Sequence, residues 1–193
     1  MQRFAATFAL DPSTMIIDVG GTGLNWTLID CPARVTLVNT DDAHAGRHPP
    51  GVTFELGDGR QLDYEEGAFD IAFSNSVIEH VGSLDDQRRF ADEIRRVGRG
   101  VWVQTPAKEF FIEPHLFTPF IHRLSKEKQR RLVRNFTIRG WIERPDGDEV
   151  DELLEVRLLT RAEMEELFPD CDVVAERFLG LTKAYVAVRL IDG

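Results

Sequence analysis

The chain has 193 residues, 42% of them apolar and 29% charged. That composition excludes a disordered chain, and the length suits one domain with its own core. Twenty-three basic against 33 acidic residues give a formal net charge of −10. A general nucleic-acid binder, which needs a basic face to neutralise phosphates, is therefore disfavoured.

In chain order, Met15 to Val19 reads as a strand that runs into Gly20, Gly21, Thr22 and Gly23. Val35 to Val38, Val52 to Leu56 and Asp70 to Phe73 read as three further strands. A helix is predicted from about Leu84 to Val97, because Phe90, Ile94 and Val97 recur at helical spacing with charges between them. Gly98 and Gly100 are expected to stop it. Val101 to Val103 forms a fifth strand, ended by Pro106. This alternation implies a mostly parallel, doubly wound α/β sheet with right-handed crossovers.

The rhythm breaks from Ala107 to about Asp148, which carries Pro114, Pro119, Pro145 and a basic amphipathic stretch from Lys126 to Arg139. The expectation is a helical cap inserted after strand five. Thr160 and Glu163 form a capping-box pair that opens a helix to Phe168. Strands Asp172 to Phe178 and Ala184 to Leu190, joined by a turn at Gly180, are expected to pair antiparallel. The whole of 1–193 reads as one domain.

No apolar run approaches the roughly 18 residues of a membrane span. The N-terminal residues lack a secretory signal pattern. Cys31 and Cys171 are far apart and outside any CxxC, so both are read as reduced thiols in a cytoplasmic protein.

Asp18, Val19, Gly20, Gly21, Thr22 and Gly23 form a glycine turn directly after the first strand. Such a turn lets the backbone approach a ligand closely. Taken alone it is equally a tight turn. The second strand ends in Asn39, Thr40, Asp41 and Asp42, where a polar side chain commonly meets ribose hydroxyls. Gly57, Asp58 and Gly59 follow the third strand as a short acidic loop suited to an exocyclic amine. Ser74 and Asn75 end the fourth. All these positions lie at the C-terminal ends of strands and so face one crevice.

On these residues the chain resembles the class I S-adenosylmethionine-dependent methyltransferases, and more closely the type-11 group. The likeness is good over 15–106 and looser over 160–190. It implies a Rossmann-like sheet of seven strands with the last antiparallel, and S-adenosylmethionine as cofactor. By resemblance, the backbone of Gly20, Gly21 and Gly23, supported by Asp18, holds the methionine part. Asn39 meets the ribose, Asp58 receives the adenine amine, and the Gly59 amide meets a ring nitrogen. Ser74 and Asn75 line the floor near the sulfonium. The chain departs from the pattern at Leu24, where another glycine is usual, and at Asn39, where an acid is usual. A neutral Asn contact is weaker than a charge-assisted one, and Asp41 is an alternative acid. The helix after strand two is missing or very short.

Methyl transfer to a hydroxyl needs a base. His80 is the first catalytic candidate, placed about one and a half turns along a helix starting near Ser76. The bland alternative is a histidine packed against strand five. No metal site is expected, since Glu79 points about 100° away from His80 on a helix. The insertion supplies His115 as a second catalytic candidate, and Glu113 and His122 as acceptor-binding candidates. They lie among Phe110, Phe111, Phe117 and Phe120, which form either a pocket wall or a cap core.

Charge is segregated. Lys126 to Arg139 holds six bases and one acid, whereas Glu143 to Glu176 holds thirteen acids and three bases. Either the basic stretch meets an anionic acceptor or a membrane surface, or it is a solvated face pairing with the acidic stretch. The Phe-rich cap offers a surface for a homodimer. No Asn/Asp-Pro-Pro-aromatic tetrad follows strand four and no Pro-Cys motif ends a strand, so nucleic-acid methylation fits poorly. The reading is methyl transfer to a small-molecule acceptor. The alternative is a non-catalytic cofactor-binding or interaction module with a degenerate glycine loop. An NAD oxidoreductase lacks a full GxGxxG and an acid after strand two.

Overall fold

The computed structural model describes residues 1–42, 46, 48–110, 112–113, 116, 118–121 and 124–191. Strands β1 (Met15–Val19), β2 (Arg34–Asn39), β3 (Val52–Leu56), β4 (Phe69–Asn75) and β5 (Gly98–Pro106) pair in parallel. β6 (Asp172–Phe178) and β7 (Leu181–Arg189) complete a seven-stranded sheet of order β3-β2-β1-β4-β5-β7-β6. The last strand, β7, runs antiparallel to both β5 and β6. The sheet is the Rossmann-like, doubly wound one that the alternation of elements implies. Strand order reverses between β1 and β4, which opens a crevice at their C-terminal ends.

The central strands are apolar almost throughout because both faces are covered. Successive residues of β1 face opposite sides. Ile17 and Val19 join Ala72, Val101 and Val103 beneath Phe90, Ile94 and Val97 of α2 (Leu84–Val97). Ile16 joins Val35, Leu37, Ile71, Phe73 and Trp102 on the other side. That side is closed by an unforeseen helix, α1 (Gln2–Thr7). Phe4 is fully buried there, its ring 4.9 Å from that of Phe73.

α2 begins where its periodicity says, with Ser83 and Asp86 forming a reciprocal capping box. Its end differs from the expectation. Gly98 has extended backbone, φ −100°, and already belongs to β5. A Cβ there would lie 2.5 Å from the Ala72 Cβ. The glycine is required by close strand packing, not by a left-handed cap.

After β5 a two-residue hairpin pairs Ile112–Glu113 with Thr118–Pro119. Three helices follow: α3 (Lys126–Phe136), α4 (Ile138–Glu143) and α5 (Gly147–Leu154), the last straddling the expected boundary near 148. The basic stretch is not one helix, because it breaks at Thr137. The Thr137 hydroxyl donates to the Val133 carbonyl at 2.6 Å and accepts from the Gly140 amide at 2.8 Å, closing one helix and opening the next. Leu116, Ile121, Val133, Val150 and Leu154 form the cap's own core. Among the described residues that core is aliphatic, and Phe120 is half exposed. The cap then returns to the sheet, where Leu159 bridges Ala107, and α6 (Arg161–Leu167) starts at the expected Thr160–Glu163 capping box.

Candidate active site

Two glycines shape the loop after β1. Gly20 has φ +81°, and a Cβ on it would fall 2.3 Å from Val77 Cγ1. A Cβ on Gly21 would fall 2.1 Å from Asp18 Oδ2. The Asp18 carboxyl therefore lies directly beneath the loop, fully buried. Oδ2 accepts from the indole Nε1 of Trp26 at 2.7 Å, and Oδ1 has no hydrogen-bond partner among the described residues. Burial pushes the Asp18 pKa up to about 7, against the opposing pull of the Trp26 bond.

Trp26 escaped the sequence reading. It sits on a short 3-10 turn, Leu24–Thr27, that leaves the glycine loop through Gly23 at φ +79°. Leu24, the departure from the usual glycine, points outward and is well exposed. Its side chain does not crowd the loop.

A cleft of about 360 Å³ lies over the ends of β1, β2 and β4. It brings together Gly20, Asn39, Asp58, Gly59 and His80 of the expected residues, and adds Arg60, Ser76, Val77 and Phe90. Asn39 has a structural duty that sequence did not reveal. Its Nδ2 donates to the carbonyls of Gly20 and Gly21 at 3.2 and 2.9 Å, and its Oδ1 accepts from the Asp41 amide. An acid could not donate those bonds, which accounts for Asn at this place.

Asp58 is gripped by Arg60. Nε reaches both carboxylate oxygens at 3.0 Å and Nη2 reaches Oδ2 at 2.6 Å, while Arg60 Nη1 also contacts Asp86 at 3.2 Å. Hydrogen bonding to Arg60 holds the Asp58 carboxyl below the usual carboxylate range. The Arg60 backbone amide also donates to Oδ1 at 2.9 Å, so each carboxylate oxygen already accepts two contacts from Arg60, and an amine donor would have to share or displace one of them. At Gly59 a Cβ would come within 2.6 Å of both Phe90 and Val19, so the floor admits only glycine.

Ser74 does not line the cleft. It is fully buried, and its hydroxyl donates to the Val19 carbonyl at 2.9 Å, tying β4 to β1. Nor does Asn75, which pairs with Gln104 inside the sheet. The chain instead turns into the cleft at Ser76, in left-handed backbone at φ 56°, with its Oγ donating to Gln104 Oε1 at 3.0 Å. The expected helix from Ser76 is one 3-10 turn, Ile78–His80, because α2 starts only at Leu84.

That turn separates Glu79 from His80. Glu79 is buried and accepts from the Thr105 hydroxyl at 2.9 Å, whereas His80 is exposed. The Ile78 and Arg157 carbonyls both accept from Gln87 Nε2, which fixes the turn against the segment returning from the cap. A second cleft of about 370 Å³ opens there, lined by Arg139, Glu143, Glu149, Leu153, Val156 and again His80. Arg139 donates to Glu143 at 2.6 Å within it. His115 and His122 lie outside the described residues, and Glu113 is described by backbone alone. Among the described residues, no group of three His, Cys, Asp or Glu is placed to hold a metal ion.

Solved structures share this fold. A SAM-dependent methyltransferase from Methanosarcina mazei is 16% identical, with TM-score 0.62 over 100% of this chain and 99% of that one. A putative Zn-dependent alcohol dehydrogenase from Rhodobacter sphaeroides superposes about as well, at 13% identity and TM-score 0.61 over 95% and 86%. Fold likeness alone therefore does not select a chemistry. The family model described as "Methyltransferase domain", of the type-11 group, matches residues 17–100, from β1 through the glycine loop to the start of β5.

Over residues 17–100 the chain is similar to the type-11 methyltransferase domain.

The matched segment contains every observed wall of the first cleft: the glycine loop, the Asp58 loop and the His80 turn all lie within it. The 1,6-didemethyltoxoflavin-N1-methyltransferase of Burkholderia thailandensis, solved with 1,6-didemethyltoxoflavin and S-adenosylhomocysteine, is 16% identical with TM-score 0.59 over 97% of this chain and 74% of that one. No curated protein is significantly similar in sequence. Among the described residues, no helix is long and apolar enough to cross a membrane.

Proposed function

We propose that this chain is a methyltransferase that binds S-adenosylmethionine in the first cleft and methylates a small molecule seated in the second, with His80 at their border. One observation carries the reading: His80 lines both clefts. The cofactor, when bound, supplies an electrophilic methyl group on a sulfonium. The chain's residues fit that group. Gly20 lines the cleft, neither Gly20 nor Gly21 has room for a Cβ, and a buried acid lies beneath the loop. Asp58 and Gly59 offer an acceptor and an amide donor to an adenine edge. Leu153 and Val156 give the second cleft an apolar wall, and Arg139 and Glu143 give it charge. The imidazole of His80 takes the proton from the acceptor atom as the new bond forms.

The test is a screen of small-molecule mixtures for products one methyl heavier, read also by S-adenosylhomocysteine release. His80→Ala is expected to lower turnover by roughly 10²–10⁴-fold, the range of general-base contributions, while cofactor affinity stays near wild type. Equal turnover would remove His80 from the mechanism.

A second reading rests on two contacts. Asn39 has its carboxamide engaged with the glycine loop and Asp58 has its carboxylate engaged with Arg60. A module that no longer takes the cofactor would show both, and it predicts no S-adenosylhomocysteine binding.

A further inference from the structure

We propose that the outer face of the cap, where α3 meets α4, docks on an anionic phospholipid surface. Four large apolar side chains crowd the outside of this short stretch: Phe136, Ile138, Trp141 and Ile142 are 66%, 52%, 67% and 77% exposed. Exposed apolar groups clustered this closely mark an interaction surface. Trp141 is held in place there, since its indole Nε1 donates to the Asn135 carbonyl.

The cations of the cap divide into two sets. Arg130, Arg131 and Arg139 are paired with Asp151, Glu127 and Glu143. So the expected pairing of the basic stretch with the acidic one is met in part, by Arg130 with Asp151 and Arg139 with Glu143. Lys128, Arg134 and Arg144, by contrast, have no ion pair among the described residues. Arg134 and Arg144 line one open hollow of about 520 Å³ with Asn135, Gly140 and the exposed Trp141. Two guanidinium groups beside an indole match a phosphodiester next to acyl chains: arginine takes phosphate oxygens by paired N–H bonds, and tryptophan prefers the boundary between headgroup and hydrocarbon.

The net charge of −10 does not oppose this, because exposed charges beyond about 10 Å are largely screened at 0.1 M salt. A second copy of the chain fits less well. A two-fold self-interface places the same patch on both sides, and so sets unpaired cations against unpaired cations. The proposal stands independently of the reaction the chain catalyses.

The test is flotation of the full chain with phosphatidylcholine vesicles and with vesicles that also contain phosphatidylglycerol, at low and high salt. The expected result is at least tenfold tighter binding to the anionic vesicles, weakened by salt. The double variants Arg134→Glu with Arg144→Glu and Trp141→Ser with Ile142→Ser should each lose about tenfold or more while melting like the wild type. Equal partition between the two vesicle types, or wild-type binding by both variants, would overturn the proposal. So would saturable binding of inorganic phosphate without vesicle binding, or a dimer in light scattering that Trp141→Ser with Ile142→Ser dissolves.

Discussion

Gly20→Ala is expected to abolish measurable S-adenosylhomocysteine binding and to lower the melting temperature by about 10 °C. Two effects add. The residue sits at φ +81°, where a side chain costs about 1–2 kcal/mol. The new methyl would also stand 2.3 Å from Val77 Cγ1, inside the van der Waals contact distance. Val77 cannot retreat freely, since it belongs to the turn that Gln87 and Arg157 hold in place. Overpacking of this kind costs about 1–3 kcal/mol where neighbours must move. The same methyl would alter the loop whose carbonyls Asn39 holds. Melting curves with and without S-adenosylhomocysteine check both effects. A Gly20→Ala protein that is stabilised by the ligand as the wild type is would show that the loop does not cradle it.

Asp18→Asn is expected to do the reverse to stability. The Asp18 carboxyl is fully buried, its Oδ1 lacks a partner among the described residues, and its pKa rises from 3.8 to about 7 because burial disfavours the charge. The sign follows from proton binding. The folded protein keeps the Asp18 proton up to about pH 7, while the unfolded chain releases it near 3.8. Between those values the folded state binds more protons, so stability falls as pH rises through that window. Above about pH 7 the full penalty is present, of the order of 4 kcal/mol. Asn has no charge to bury and can still accept from Trp26. The variant should therefore melt higher than the wild type at pH 8, and the difference should close by about pH 4. A difference independent of pH would contradict this account of Asp18. An acid that weakens the fold at neutral pH, placed beneath a glycine loop, is consistent with a stability–function trade-off.

Much of this architecture was legible in the sequence because its signals are local. The apolar runs of β1 and β3, the period of α2 and the Thr160 capping box depend on neighbours within one or two turns, and they appear where expected. The glycine loop was legible for the same reason. What was hidden depends on distant partners. Asn39 reads as a ribose contact until Gly20 and Gly21 are seen to present carbonyls to it. Ser74 reads as a site residue until its hydroxyl is found on Val19, 55 positions away. Trp26 carried no visible reason to matter before Asp18 was placed beside it. Helix α1 did leave a trace, Phe4 and Phe8 one turn apart, but six residues are too few for periodicity to decide.

The cap was the least legible part, for a physical reason. Its basic stretch has a continuous helical pattern, and only the Thr137 hydroxyl, bonded to Val133 and Gly140, divides it. That division sets Arg139 and Glu143 beside His80 and leaves Trp141 and Ile142 facing outward.

The most direct test of the central claim is calorimetric titration of S-adenosylhomocysteine into the wild-type chain and into Asp58→Ala. The account predicts saturable micromolar binding by the wild type. It also predicts a loss of about 1–3 kcal/mol in Asp58→Ala, the scale of a buried hydrogen-bond group left without its partner. No detectable heat from the wild type at millimolar ligand would contradict the assignment of the first cleft and favour the non-catalytic reading.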